Sequence, residues 1–144
     1  MSNSKKEHPD WLYRQSAVLP LYQGQVVLIT TRKSGRWVIP KGVVELHLSP
    51  QESAREEAWE EAGLKGKVMD HLLGEYTYEK WGGTCHVKVY RMEVETLLDH
   101  WPEKGFRRRE RVSPTEAVKR VYPPALAEII AAALGVEPPR RQGR

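Results

Sequence analysis

Apolar and polar positions along the first part of the chain follow the pattern of β-structure. Residues 15–22 and 25–31 are two mostly apolar runs on either side of Gln23-Gly24, which predicts two strands joined by a tight turn. The segment RWVIP, residues 36–40, predicts a short strand that ends at Pro40. A loop is expected to follow over residues 41–48.

A helix is predicted from residue 50 to residue 62. Ser49 can cap its first turn, Pro50 suits the first helical position, and Glu52 completes a capping box. Gly63 is suited to the left-handed conformation in which many helices end.

The rest of the chain predicts a hairpin followed by two helices. Residues 68–80 and 85–95 are predicted as two strands joined through Trp81-Gly82-Gly83. SPTE, residues 113–116, predicts a short helix to about residue 121, and ALAEIIAAAL predicts another that Gly135 closes. Strands around one central helix, with a helical end, predict an α/β domain built on a mixed sheet.

Composition places this domain among ordinary globular proteins. The 144 residues predict a flexible N-terminus over residues 1–10, one domain over 11–135, and a disordered basic tail over 136–144. Cys85 is the single cysteine, which excludes an internal disulfide and fits a reducing compartment. The sequence shows neither an apolar run long enough to span a bilayer nor a secretory signal. We therefore expect a cytoplasmic protein with no membrane partner.

Negative charge is concentrated in one segment of a chain whose net charge is +4. QESAREEAWEEAGL, residues 51–64, contains five glutamates, and like charges one turn apart destabilise a helix. Glu57, Glu60 and Glu61 share one helical face, beside a stripe of alanines that would let the helix pack closely on a sheet. Clustered carboxylates favour a hard cation such as Mg²⁺. The alternative interpretation is a solvated acidic face.

The acidic helix lies within a longer motif. GVVELHLSPQESAREEAWEEAGL, residues 42–64, resembles the Nudix box, G-x5-E-x7-R-E-U-x-E-E-x-G-U, in which U is a bulky apolar residue. The positions that match in register are Gly42, Glu57, Glu60, Glu61, Gly63 and Leu64. Ala58 is small for its place, Leu48 stands where the family has Glu, and Glu56 stands where it has Arg. We hypothesise that the family's Glu and Arg brace each other, so that losing both leaves no unpaired charge.

The resemblance extends from about residue 11 to residue 130. SGRWVIPKG, EEAGLKG and RRRERVSPTEA are similar to segments of the diphosphoinositol polyphosphate and diadenosine polyphosphate phosphohydrolase branch. It implies a Nudix-type α/β/α sandwich with the loop-helix-loop box packed against a central mixed sheet. It also implies hydrolysis of a phosphoanhydride in a polyphosphorylated small molecule, with Mg²⁺ as cofactor and Mn²⁺ as the alternative. Lys41, in PKG, resembles the diadenosine enzymes and favours a nucleotide.

The same resemblance assigns the site. It implies Glu57 and Glu61 as metal ligands and Glu60 as the base that activates water, although the identity of the base varies within the family. The predicted metal site comprises Glu57, Glu60 and Glu61 together with Lys41. The implied phosphate contacts are Arg14, Thr31, Arg32, Arg36, Lys41, Gly42, Lys80 and Arg107. Trp37, Tyr78 and Trp81 are candidates for stacking on adenine, with a core role as the alternative for Trp37.

The sequence is also compatible with two other functions. One is a pyrophosphohydrolase acting on the 5′ end of RNA, since RRRER, residues 107–111, is either a nucleic-acid patch or the phosphate-facing end of a strand. The other is a domain that senses a nucleotide without cleaving it, given Leu48 and Glu56. A monomer and a homodimer are both compatible with the sequence.

Overall fold

The computed structural model describes residues 12–139. Its strands are β1 Leu12–Tyr22, β2 Gln25–Thr30, β3 Trp37–Val38, β4 Lys41–Val43, β5 Leu64–Lys80, β6 Gly83–Leu97 and β7 Arg109–Val112. Its α-helices are α1 Pro50–Ala62, α2 Pro114–Arg120 and α3 Pro124–Leu134, and a 3-10 turn spans Lys104–Phe106. The flexible N-terminus and most of the basic tail that the sequence predicts lie outside the described residues. Val136, the first residue of that tail, packs against the core.

The strands between residues 12 and 139 form one mixed sheet. Its order is β3-β2-β1-β6-β5, while β4 pairs with β1 and β7 pairs with β2. β1 and β6 run parallel, and the other pairs are antiparallel. The predicted α/β architecture on a mixed sheet is therefore confirmed.

Alternating side chains of the central strands build two hydrophobic layers, one on each face of the sheet. Ala17 and Leu19 of β1 point to the face covered by α2 and α3. Val18, between them, packs with Ala54 and Ala58 of α1 on the opposite face. Because strand side chains alternate between faces, a continuous apolar run can bury both sides of a sheet between helices. The result is an α/β/α sandwich with α1 held close by its alanines.

Local signals define both ends of α1 as predicted. The Ser49 hydroxyl accepts the Glu52 backbone N–H, and the Glu52 carboxylate accepts the Ser49 N–H. Gly63 adopts φ 66°, and its N–H bonds the Trp59 carbonyl at 3.0 Å. A Cβ at Gly63 would lie 2.5 Å from the ring of Trp101, so glycine is required by packing as well as by conformation.

Several strand boundaries differ from the sequence prediction, and β1 begins at residue 12 rather than 15. β4 lies inside the predicted loop over residues 41–48, because its short Lys-Gly-Val segment becomes a strand through pairing with residues 15–17 of β1, which lie far away in sequence. β5 begins at residue 64 rather than 68, and β6 spans 83–97 rather than 85–95. Register shifts near Lys65, Val68 and Leu72 interrupt the alternation of β5, which obscures the period from which a strand is predicted. Between residues 12 and 139, none of the helices has both the length and the apolar character needed to traverse a lipid bilayer.

Candidate active site

Two carboxyl groups, one helical turn apart on α1, form the centre of the site. Burial raises the pKa of Glu57 to about 8, with further contributions from the nearby Glu61, Glu60 and Glu103 carboxylates. Burial also raises the pKa of Glu61, although the Arg107 guanidinium opposes this shift. The side chains of Glu57 and Glu61 are hydrogen-bonded to each other, which requires one of them to be protonated. This hydrogen bond favours the proton on Glu57, because it raises the pKa of Glu57 and opposes the rise in the pKa of Glu61.

Two further carboxylates lie beside this pair. Glu60 is exposed on the same helix, and its main-chain carbonyl accepts the backbone N–H of Glu103 at 3.0 Å. Glu103 lies in the loop between β6 and β7, far from α1 in sequence, and no motif or periodicity pointed to it. Its charge nevertheless acts on both Glu57 and Glu61. The acidic centre therefore comprises Glu57, Glu60, Glu61 and Glu103.

Strand β4 completes the support of this acidic centre. The Lys41 backbone N–H donates to Oε1 of Glu61 at 3.2 Å. A Cβ at Gly42 would lie 2.2 Å from Oε2 of Glu57, so the missing side chain provides the space that the carboxyl group occupies. Packing against the Glu57 carboxyl group thus explains why the first position of the motif, residue 42, is glycine.

The donor set fits a hard divalent cation. Carboxylate oxygens are the ligands that Mg²⁺ prefers, and an ion would relieve the repulsion that adds to burial in raising the pKa of Glu57. Across the part of the chain that the structure describes, no three Asp, Glu, His or Cys side chains are already gathered into a metal-binding cluster. The residues that would hold the ion are the Glu57–Glu61 pair, with the exposed Glu60 side chain beside it.

Arg107 connects the acidic centre to the adjoining loop. Its guanidinium lies 3.6 Å from Oε2 of Glu61, donates to Oε1 of Glu103 at 2.8 Å, and donates to the Thr30 carbonyl at 3.0 Å. Arg107, which the resemblance implies as a phosphate contact, therefore also orients the Glu61 and Glu103 carboxylates.

A cavity of about 340 Å³ opens beside Glu61. The implied phosphate contacts that line it are Thr31, Arg32, Lys41, Lys80 and Arg107. Burial lowers the pKa of Lys41, against the raising effect of Glu61, and its ammonium lies 5.1 Å from the centre of the Tyr78 ring. The structure thus brings five of the eight implied contacts into one cationic cavity with a carboxylate at its wall.

The other three implied contacts lie elsewhere. Arg36 lines a neighbouring cavity of about 380 Å³ that also includes Lys41, Tyr78 and Lys80. Gly42 lies against Glu57 rather than on the cavity wall. Arg14 is exposed on β1, paired in register with His86, and lines neither cavity.

The aromatic candidates separate by burial. Trp37 packs against the core beneath the guanidinium groups of Arg108 and Arg120, as the core interpretation predicts. Trp81 is 53% exposed at the hairpin turn. Tyr78 donates its hydroxyl to the Gln15 side chain at 2.8 Å and lines the cavity of Arg36.

Leu48 and Glu56, the two departures from the motif, lie on the same side of α1, away from the acidic centre. Both line a surface cavity of about 580 Å³, together with Arg55, Trp59 and Lys65. None of the carboxylates of the acidic centre lines this cavity. The hypothesis that the family's residues at these positions brace each other stays a prediction.

The fold and the site together define an α/β/α domain in which an acidic helix faces a cationic cavity. The sequence model of the NUDIX domain matches residues 12–133. The chain belongs to the Nudix family.

Comparisons with individual proteins agree with this assignment. The chain is 31% identical over 114 residues to Nudix hydrolase 16, mitochondrial, of Arabidopsis thaliana, covering 74% of this chain and 63% of the relative. It is 32% identical over 114 residues to diphosphoinositol polyphosphate phosphohydrolase 3-alpha of Homo sapiens, covering 75% and 68%. The crystal structure of C. elegans Ap4A hydrolase shares the fold, with a TM-score of 0.69 at 15% identity over 88% of this chain and 100% of that chain. The chain spans about half to two thirds of the length of the curated relatives that it matches.

Proposed function

We propose that this chain is a Mg²⁺-dependent hydrolase that cleaves a phosphoanhydride bond in a diadenosine polyphosphate or a similarly phosphorylated compound, with Mn²⁺ as the alternative ion. The observation that carries the proposal is the position of the Glu57–Glu61 pair. Glu61 forms part of a cavity wall that also presents Lys41, Lys80 and Arg107, so a site for a cation adjoins a site for phosphates. A polyphosphate bridged by a metal ion requires both sites.

The cation would be held by Glu57, Glu60 and Glu61, with Lys41 contributing to the site through its backbone N–H bond to Glu61. When bound, Mg²⁺ supplies an acidified water and neutralises phosphate charge. Glu60 is the proposed general base because its carboxylate is exposed beside the pair. Glu103 is the second candidate for this role, since it lies in the same acidic centre.

The cationic side chains neutralise and position the substrate. Arg107 and Arg32 suit bidentate contacts with phosphate oxygens, whereas Lys41 and Lys80 act as point charges. Positioning and charge stabilisation account for most of the catalysis in phosphoryl transfer, so the loss of one such cation should reduce turnover strongly.

Several features support a substrate with many phosphates. Five implied phosphate contacts converge on one cavity, and a relative is named for diphosphoinositol polyphosphates. Lys41 favours a nucleotide over an inositol compound within this class. The cytoplasm remains the location that we expect, and a monomer or homodimer remains the expected assembly.

The test is turnover of diadenosine tetraphosphate, a diphosphoinositol phosphate and 5′-triphosphorylated RNA, each with Mg²⁺ and with Mn²⁺. We expect phosphoanhydride cleavage by the wild type and its loss in Glu60→Gln and Glu61→Gln. Glu56→Gln is the matched control, because it neutralises a glutamate of the same helix outside the acidic centre.

The same experiment separates the rival functions. Binding of a nucleotide without turnover of any compound would identify a sensing domain and overturn the proposal. Preference for the RNA, with affinity that falls steeply as salt increases, would identify an RNA pyrophosphohydrolase instead.

A further inference from the structure

We propose that Arg32 and Phe106 form a platform on which a nucleobase stacks at the end of the bound phosphate chain. The Arg32 guanidinium lies 4.2 Å from the centre of the Phe106 ring. Phe106 is nevertheless 56% exposed, so the ring is held in solvent rather than in the core. This inference rests on the proposed function and deepens it, because it specifies what distinguishes one polyphosphorylated substrate from another.

The platform is built on the same turn as the acidic centre. The Phe106 N–H bonds the Glu103 carbonyl at 2.9 Å, and Arg107, the next residue, holds the Glu103 and Glu61 carboxylates. The Arg108 N–H donates to Oγ1 of Thr30 at 2.9 Å, which ties this turn to the loop that carries Arg32. The turn that carries Phe106 is therefore bonded to the strand that leads into the loop of Arg32, beside the phosphate cavity.

Space for a ligand adjoins the platform. A surface cavity of about 510 Å³ is lined by Arg32, Lys33, Gly105 and Phe106. Arg32 and Lys33 also line the cavity that contains Glu61, Lys41 and Arg107. A phosphate chain bound at the carboxylates can thus continue past two cations and place its terminal group at the platform.

The chemistry of the platform favours an aromatic base. A base stacks well on a guanidinium plane or on an aromatic ring, and such stacking tolerates different bases. Since 4.2 Å leaves no room for a base between the two side chains, the base would stack on an outer face of the pair. An inositol ring has no π-face, so the platform would discriminate in favour of nucleotides.

A second pair on the same loop is the internal rival. The Arg36 guanidinium lies 4.1 Å from the centre of the Tyr122 ring, which is 46% exposed. Tyr122, however, follows α2, and its N–H bonds the Trp37 carbonyl rather than a residue of the turn that carries Arg107. Phe106 is one residue from Arg107, which favours it as the base site.

The experiment measures steady-state kinetics for diadenosine tetraphosphate and for a diphosphoinositol phosphate. We expect Phe106→Leu to raise the KM for the dinucleotide roughly tenfold, with little change in kcat, because one base–aromatic stack is lost. Arg32→Lys keeps the positive charge but loses the planar guanidinium group. This variant should therefore also show a lower preference for the dinucleotide. Leu72→Ala, at an exposed position of β5, is the control that should leave the preference unaltered.

The outcomes are distinguishable. If the wild type cleaves both compounds, an unchanged preference for the dinucleotide in Phe106→Leu would overturn the platform and leave the hydrolase proposal intact. A loss of that preference in Tyr122→Leu alone would do the same. Cleavage of the diphosphoinositol phosphate alone by the wild type would also overturn the platform and leave the hydrolase proposal intact. Failure to cleave either compound would overturn the proposed function and the platform with it.

Discussion

Arg107 and Glu61 face each other across 3.6 Å, and the side chain of each is only 12% exposed. The same guanidinium bonds the Glu103 carboxylate and the Thr30 carbonyl. Three separate parts of the chain thus meet at one arginine. The pairing keeps the Glu61 carboxylate oriented toward the cavity that we propose for the substrate.

Arg107→Met should impair both folding stability and activity. It leaves the shielded Glu61 and Glu103 carboxylates without their cation, which we expect to reduce the free energy of unfolding by about 1–3 kcal/mol. Urea denaturation measures this loss. Arg111→Met is the control, because Arg111 is exposed on β7. Equal stability of the two variants would show that Arg107 does not support the carboxylates.

Gly42→Ala should lower activity with little effect on stability. The added Cβ would lie 2.2 Å from Oε2 of Glu57, and the flexible end of that side chain can move aside. We expect kcat/KM to fall at least about tenfold, since a small displacement of a catalytic group has large effects. Val43→Ala, at an exposed position of the same strand, is the comparison. An active Gly42→Ala enzyme would mean that the position of Glu57 is unimportant.

Glu57→Gln should stabilise the metal-free protein at alkaline pH. Between the ordinary pKa of 4.5 and about 8, folded Glu57 retains a proton that the unfolded chain releases. The folded state therefore loses stability as the pH rises through this window, and a neutral glutamine removes that loss. We expect the Tm of the variant to exceed that of the wild type near pH 8, and the two Tm values to converge near pH 4.5. Glu95→Gln, an exposed change on β6, should show no such trend.

Mg²⁺ should raise the Tm of the wild type more at about pH 8 than at about pH 6, because binding requires deprotonated carboxylates. Thermal unfolding with Mg²⁺ and then with a chelator measures the effect and its reversal. Glu57→Gln should lose most of the stabilisation. An equal Mg²⁺ effect at both pH values would contradict the assignment of the proton to Glu57.

Restoring the two departures from the motif should show energetic coupling. Leu48 and Glu56 line one cavity. The double variant Leu48→Glu/Glu56→Arg should therefore be more stable, by about 0.5–1 kcal/mol in the free energy of unfolding, than the sum of the two single changes predicts. A double-mutant cycle measures this term. We expect Glu56→Arg alone to change activity little, and a large gain from that variant would refute the bracing hypothesis.

Much of α1 and its carboxylates could be predicted because the relevant interactions are local. Ser49, Glu52 and Gly63 act within one helical turn of the ends that they define, and the spacing of Glu57 and Glu61 places them on one face whatever the helix packs against. The resemblance to the Nudix box added the expectation of a metal site. The two apolar layers followed from alternation in β1 and β2.

Tertiary structure decided the partners that lie far apart in sequence. Glu103, Phe106 and the bonds of Arg107 to Thr30 and Glu61 depend on the loop before β7 docking beside α1 and β2, and no local pattern encodes that approach. It also decided that Arg14 lies outside the cavities and that residues 41–43 form a strand. Capping and periodicity act over one turn or one pleat, whereas hydrogen bonds between distant segments arise only when the whole sheet has assembled.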